Sequence, residues 1–224
     1  MLNRSMGSAM PPAPEVNLWS SAEHALEYLR RADSIPHRVE GEATLLEFVP
    51  AGARRILDLG SGGGRLLSLV KAARPGARFV ALDFSPAMLE SLRKLFATEK
   101  NVSIVAHDLD ETLPALGQFD AVVSSFAIHH LVHTRKRSLY QEIFELLTPG
   151  GVFCNLEHVA SPSARLHTVF LEAIGYPEED PSNKLLDVET QLGWLREIGF
   201  VDVDCHWKWR ELALLVGEKP DVSS

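Results

Sequence analysis

The chain has 224 residues, 46% hydrophobic and 23% charged, an ordinary soluble composition that is long enough for one α/β domain and short for two. Its net charge of −8 argues against a broad nucleic-acid surface, and its longest apolar runs, such as ALLV (213–216), fall far short of a membrane span. Cys154 and Cys205 lie in apolar strand-like runs without CxxC or other metal spacing. Reduced, buried thiols in a cytoplasmic protein are expected, and no metal.

The opening residues, MLNRSMGSAMPPAPEV, lack the apolar stretch of a secretory signal and read as a disordered leader over 1–17. Ser20 and Glu23 stand in capping-box spacing, which predicts a helix to about residue 31. A second helix fits EGEATLLEFV, and Pro50 and Gly52 then punctuate the chain ahead of RRILDLG, a buried strand. The pattern alternates from there. GRLLSLVKAAR is helical, ARFVALDF a strand, PAMLESLRKLFATE a helix with proline near its first turn, and NVSIVAHDL and FDAVVSSFA are strands. RSLYQEIFELL is a helix with Leu139, Ile143, Phe144 and Leu147 on one face, and Arg135, Lys136 and Arg137 at its start read as a solvated basic face. PGG makes a turn into the strand VFCNLEHV.

Repeated strand–helix alternation with apolar strands is the pattern of a doubly wound, mostly parallel sheet. ARLHTVFLEAIG and VETQLGWLREIGF then predict two helices around a polar, proline-containing loop. VDVDCHWKW and ELALLVGE are too close for a crossover helix, so they predict an antiparallel hairpin at the sheet edge. The aromatic residues of HWKWRE are expected to pack in that hairpin. A single domain over 18–220 follows.

ILDLGSGGGRLL (56–67) places four glycines in five positions where the first strand meets its helix, the place where doubly wound sheets bind ligands. The dinucleotide pattern GxGxxG fails at its third glycine, because Arg65 follows Gly60 and Gly62 at that spacing, and no lysine followed by Ser or Thr closes a phosphate loop. What remains is an acid, Asp58, ahead of Gly60, Gly62 and Gly64. A second acid, Asp83, ends the next strand, where a carboxylate accepts ribose hydroxyls. A third, Asp108 in HDLD, ends the third strand, where an exocyclic amine can be read.

These motifs, LDLGSGGG, ALDFSPAML, HDLDETLP, FDAVVSSFAIHHL and LLTPGGVF in this order, resemble those of class I S-adenosylmethionine-dependent methyltransferases over roughly residues 36–217. The resemblance implies a seven-stranded Rossmann-like methyltransferase fold with S-adenosyl-L-methionine as cofactor. It implies that Gly60, Ser61, Gly62 and Gly64 pass under the methionine moiety, with Asp58 orienting the loop and the amine. Asp83 would bind the ribose, Phe84 and Met88 would flank the adenine, and Asp108 and the Leu109 amide would meet the ring. Ser125 and Phe126 would line the sulfonium end, and Arg38 in IPHRVEGE would clamp the cofactor's carboxylate. Trp19, His24 and Tyr28 would lie on a helical lid near 18–50, and an insertion near 158–198 would lie on the substrate side.

Methyl transfer is a direct displacement, with the nucleophile about 3 Å from the methyl carbon in a dry pocket. A hydroxyl or carbon nucleophile needs a base as well, and His129 and His130 in AIHHL are the candidates, with Glu157 and His158 ending the fifth strand nearby. The acceptor is expected to be a small molecule bearing an O, N, S or C nucleophile. No nucleic acid or membrane partner is expected, and the chain should act as a monomer or homodimer. Two alternatives have distinct outcomes: a same-fold enzyme using the cofactor without methyl transfer would not accumulate S-adenosylhomocysteine stoichiometrically, and a non-catalytic module would bind without turnover.

Overall fold

The computed structural model describes residues 34–176 and 178–221, with Ser21 and Glu23. The expected leader, the helix begun at Ser20, and Trp19, His24 and Tyr28 lie outside the described residues.

Helix α1 (Arg38–Phe48) precedes β1 (Arg55–Leu59), α2 (Arg65–Ala73), β2 (Arg78–Asp83), α3 (Pro86–Leu95), β3 (Val102–Ala106) and β4 (Phe119–Ser125). A short 3-10 turn, Ile128–His130, leads into α4 (His133–Leu146) and β5 (Leu147–His158). Helices α5 (Ala164–Ile174) and α6 (Val188–Ile198) and strands β6 (Val201–Trp209) and β7 (Leu212–Glu218) complete the chain. The sheet order is β3-β2-β1-β4-β5-β7-β6. Pairing is parallel from β3 through β5, and β7 runs antiparallel to both β5 and β6. The expected C-terminal hairpin is therefore present, with its second strand inserted beside β5.

Successive strand residues face opposite sides, so each strand feeds two cores. Ile56, Ala121, Val123, Cys154, Leu156, Leu214 and Val216 pack with Leu45 of α1, Leu67 of α2 and Leu92 of α3. Their neighbours Leu57, Val122, Phe153, Ala213 and Leu215 pack instead with Leu139 and Ile143 of α4 and Leu195 of α6. The continuous apolar strands seen in the sequence are thus covered on both faces. Cys154 is buried and Cys205 half-buried, and both are unpaired thiols.

Helix ends follow their sequence punctuation. Asp187 caps α6 by accepting from Thr190 N–H at 2.8 Å, and Gly175 and Gly199 close α5 and α6 in the left-handed conformation. The PGG residues behave differently from expectation. Pairing jumps from Phe119–Leu147 to Ala121–Val152, so these residues bulge inside β5 rather than turning ahead of it. Gly150 N–H and the Gly151 carbonyl both bond Lys219, which keeps the bulge laddered on the β7 side. Trp207 and Trp209 pack as expected: Trp207 lies against Gly41 of α1, and Trp209 against His37 and Phe170.

The strand order reverses beside β1, which lies between β2 and β4. The carboxyl ends of those three strands open the crevice where doubly wound sheets hold their ligands.

Candidate functional site

The glycine turn leaves β1 with Gly60 at φ 65, Gly62 at φ 53 and Gly64 at φ 91, all in the left-handed region. Their reasons differ. A Cβ on Gly60 would stand 2.2 Å from the Ala127 Cβ, so this glycine admits the loop after β4. A Cβ on Gly64 would crowd Phe96, Leu92 and Leu95 at the end of α3. A Cβ on Gly62 would meet no atom within 4 Å, so there the bare backbone faces open space. Two of the three glycines expected to lie under a ligand are therefore required first by the protein's own packing. Ser61 ties the turn down, its N–H donating to the Leu82 carbonyl (2.9 Å) and its Oγ to the Asp58 carbonyl (3.0 Å).

Both carboxylate oxygens of Asp58 are buried without a hydrogen-bond partner, and burial, with the neighbouring Asp83 charge, pushes this acid up to about 7. Asp83 is more occupied than the sequence suggests. One of its oxygens accepts from Gly62 N–H (2.8 Å) and the other from Ser85 N–H (2.9 Å), so it joins the turn to the start of α3 while each oxygen keeps a second lone pair. Phe84 is half-buried and Met88 is buried on α3. Strand β3 stops at Ala106, and Asp108 lies in the following turn with Oδ1 accepting from Asp110 N–H at 3.0 Å. The Leu109 carbonyl accepts from Arg135 Nε at 2.7 Å, which anchors that turn to α4.

Arg38 is buried, and its Nε donates to Glu42 Oε1 at 2.8 Å. Arg65 grips the same carboxylate through Nε (2.8 Å) and Nη2 (2.7 Å), so two guanidinium groups share one buried acid. The carboxylate Arg38 holds is thus Glu42, which Arg65 also reaches from the start of α2. The Arg38 guanidinium also lies 5.1 Å from the centroid of Phe126. Phe126 leaves β4 at φ 52, a conformation that costs a phenylalanine energy and concentrates at functional sites. Next to it, Ser125 Oγ is buried without a partner.

Beyond β4 the buried acids find partners within the protein. His129 Nδ1 lies 2.8 Å from Glu157 Oε1, and both side chains are buried. Burial, with the neighbouring His158 and Lys136 charges, pushes His129 well below the usual histidine range, so the ring is neutral at pH 7. Burial raises Glu157 as well, yet the backbone N–H of His158 (2.9 Å) and Asn155 Nδ2 (3.4 Å) both donate to it. The carboxylate is the form these surroundings serve. His130 stacks on His129 with ring centroids 3.9 Å apart, and its Nδ1 lies 3.0 Å from Ser182 Oγ.

The loop carrying Ser182 is pinned to the site at further points. Lys184 N–H donates to the His129 carbonyl (2.8 Å), Lys136 Nζ donates to the Lys184 carbonyl, and His133 Nε2 lies 3.2 Å from the Leu185 carbonyl. Lys136 is buried, and Arg135 is mostly buried against Glu142, so the solvated basic face expected at the start of α4 is confined to Arg137. The local run of three cations hid the fact that their partners lie far along the chain.

A methyltransferase domain model matches residues 56–151, the segment from β1 to the bulge of β5. A demethylmenaquinone methyltransferase from Clavibacter sepedonicus is 32% identical over 179 residues, covering 72% of this chain and 71% of that protein. The chain belongs to the class I S-adenosylmethionine-dependent methyltransferases. It is also similar to a carboxy-S-adenosyl-L-methionine synthase from Klebsiella pneumoniae, 26% identical with 93% and 94% of the two chains covered. Among solved structures it shares the fold of human N-acetylserotonin methyltransferase in complex with S-adenosylmethionine, with a TM-score of 0.69 at 18% identity. That match covers 94% of this chain and spans 60% of the human one.

S-adenosylmethionine is the cofactor of this methyltransferase, and the donor set at the crevice fits it. A buried carboxylate without a partner suits an ammonium, the open backbone at Gly62 suits close approach, and Ser125 Oγ adds an unpartnered polar group. Glu42, Arg65, Lys136 and Glu211 escaped the sequence reading, since each acts through partners many residues away.

Proposed function

We propose that this methyltransferase acts on a hydroxyl group of a small molecule bound at the carboxyl ends of β4 and β5, with His129 as the base. The observation that carries the reading is the buried His129–Glu157 pair at 2.8 Å, directly after β4. Glu157 accepts from Nδ1 and fixes the tautomer, which leaves Nε2 as the lone-pair nitrogen that takes the hydroxyl proton. Nε2 has no hydrogen-bond partner among the described residues and is not among the fully buried atoms. S-adenosylmethionine supplies, when bound, an electrophilic methyl on a sulfonium that leaves as a neutral thioether.

The chain's own residues hold the rest in place. Asp58 takes the ammonium, Gly60, Ser61, Gly62 and Gly64 shape the floor, and Asp83 accepts from the ribose with its remaining lone pairs. Phe84 and Met88 flank the adenine, and Asp108 and Leu109 read its edge. Arg38, held on Glu42 with Arg65, clamps the cofactor's carboxylate, and Ser125 and Phe126 line the reacting end. His130 positions the loop from 178 to 187 through Ser182. Helix α1 belongs to the lid, and residues 158–198 form the acceptor side. The acceptor named for the Clavibacter relative supports a small-molecule substrate. Two unpaired thiols suit a cytoplasmic enzyme. Among the described residues no helix is long and apolar enough to cross a membrane.

A second reading has one observation in its favour: the synthase relative matches more of this chain than the demethylmenaquinone enzyme does. Product accounting by mass spectrometry separates the two. Methyl transfer yields one S-adenosylhomocysteine for each methylated acceptor. A carboxylated sulfonium product, or acceptor consumption without S-adenosylhomocysteine, would overturn the first reading.

A further inference from the structure

His158 ends β5 beside Glu157, and the methyl-transfer scheme above gives it no role. Its Nε2 lies 3.0 Å from Glu211 Oε2, and Glu211 is a fully buried acid in the two-residue turn between β6 and β7. A carboxylate buried in a hairpin turn needs a reason, and its partners supply one. Besides His158 it is held by His167 Nδ1 of α5, at 3.0 and 3.1 Å, and by Ser161 Oγ. These hydrogen bonds keep Glu211 below the usual glutamate range against the cost of burial, so it is ionised and fixed.

The same logic that orients His129 therefore orients His158. Each histidine has one ring nitrogen on a buried carboxylate, Glu157 or Glu211. Each has a second nitrogen, Nε2 of His129 and Nδ1 of His158, with no hydrogen-bond partner among the described residues and not fully buried. The two rings meet edge to face with centroids 5.5 Å apart, and the Phe170 ring lies 5.1 Å from that of His158. The backbone N–H of His158 also donates to Glu157, so one carboxylate sets the positions of both residues. With one nitrogen of each ring held on a carboxylate, the other nitrogen of each is left to a ligand, and the Phe170 ring lies beside His158.

We propose that His158 is a second acceptor-binding residue, oriented by Glu211, and that the methyl acceptor carries two neighbouring hydroxyl groups, of catechol or enediol type. This rests on the reading of His129 as the base. One hydroxyl gives its proton to His129 and is methylated. The adjacent one keeps its proton, donates to His158 Nδ1 and sets the register of the first. His158 adds no covalent step. Glu211 and His167 are positioning residues, because they act through the His158 ring.

The test uses the full chain saturated with S-adenosylhomocysteine for binding, and with S-adenosylmethionine for turnover. The probes are catechol, resorcinol and phenol, with ascorbate as an aliphatic enediol. Catechol or ascorbate is expected to bind about tenfold tighter than the monohydroxy and 1,3-dihydroxy probes, one hydrogen bond's worth, and to be monomethylated. In His158→Phe that preference falls to about one while S-adenosylhomocysteine affinity is retained. Glu211→Gln, which loosens the ring without removing it, gives an intermediate preference and serves should His158→Phe fail to fold. Absence of vicinal preference in the native protein, or an unchanged preference in both variants, overturns the proposal. Failure of all four probes overturns it too. If His129→Asn still methylates catechol at the native rate, the reading of the base has failed instead.

Discussion

The two ends of this site handle buried polarity in opposite ways. At the end of β1 the key acid is left unmatched: Asp58 has two buried oxygens without a partner, beside the open space at Gly62. At the ends of β4 and β5 the acids are matched by the protein itself, Glu157 by His129 and Asn155, and Glu211 by His158, His167 and Ser161. Buried polar groups lacking partners cost stability unless a ligand supplies them. A paired histidine is instead set in one tautomer for proton transfer. On the function proposed above, the first region binds and the second carries the chemistry.

Substitutions should separate these roles, and the largest effect belongs to the chemical region. His129→Asn should lower kcat by about 10²–10⁴-fold on a hydroxyl acceptor, the usual worth of a positioned base. S-adenosylhomocysteine affinity, measured by calorimetry, should stay near native. Equal loss of binding and turnover would merge the two regions. Because His129 titrates well below the ordinary histidine value, the ring remains unprotonated as pH falls through about 6.5. Native kcat should therefore hold across that range, and an acid limb centred there would contradict the burial argument.

Within the glycine turn, Gly60→Ala and Gly62→Ala should diverge. The first must displace Ala127, and overpacking of this kind costs about 1–3 kcal/mol in addition to about 1–2 kcal/mol for left-handed alanine. The second carries only the backbone cost, so thermal unfolding should show the smaller loss, while its added methyl enters the open space and weakens cofactor binding. Reversal of that order in melting temperature would refute the split between packing and ligand glycines. On the proposed ribose contact, Asp83→Ala should weaken S-adenosylhomocysteine by about 1–3 kcal/mol, with part of the loss coming from the Gly62 hydrogen bond it also accepts.

The same contrast explains what the sequence could show. In the cofactor region the signal is contiguous: Asp58 and the glycines sit within a few residues, and strand alternation places Asp83 and Asp108 at neighbouring strand ends. The sheet, its hairpin and the crevice follow from such local patterns. In the acceptor region the partners are dispersed. Glu211 meets His158 from 53 positions away, and Arg65 meets Glu42 from 23, and no local period marks either pair. Lys136 looked like one of three solvated cations until the fold set its ammonium against the Lys184 carbonyl. His129 was visible because histidine after the fourth strand is a candidate base on chemical grounds alone, but its tautomer rests on Glu157, which only the fold positions.

Asp58 offers the most direct test of the binding region. Its carboxyl is pushed up to about 7 by burial, well above the 3.8 of a solvated aspartate. A raised acid is favoured in its protonated form by the fold, so its contribution to stability is full below about 3.8 and lost as pH climbs to about 7. Asp58→Asn should accordingly make the ligand-free protein more heat-stable at about pH 8, by roughly 2–4 °C for each kcal/mol recovered. The deciding measurement is calorimetric titration of S-adenosylhomocysteine into the native protein and Asp58→Asn between about pH 5.5 and 8. The account expects native affinity to fall about tenfold for each unit below about 7, as Asp58 loses the charge that meets the ammonium, and the variant to bind weakly without that slope. A native affinity that stays level across the range, or a variant that binds as tightly as the native protein at pH 8, would contradict it.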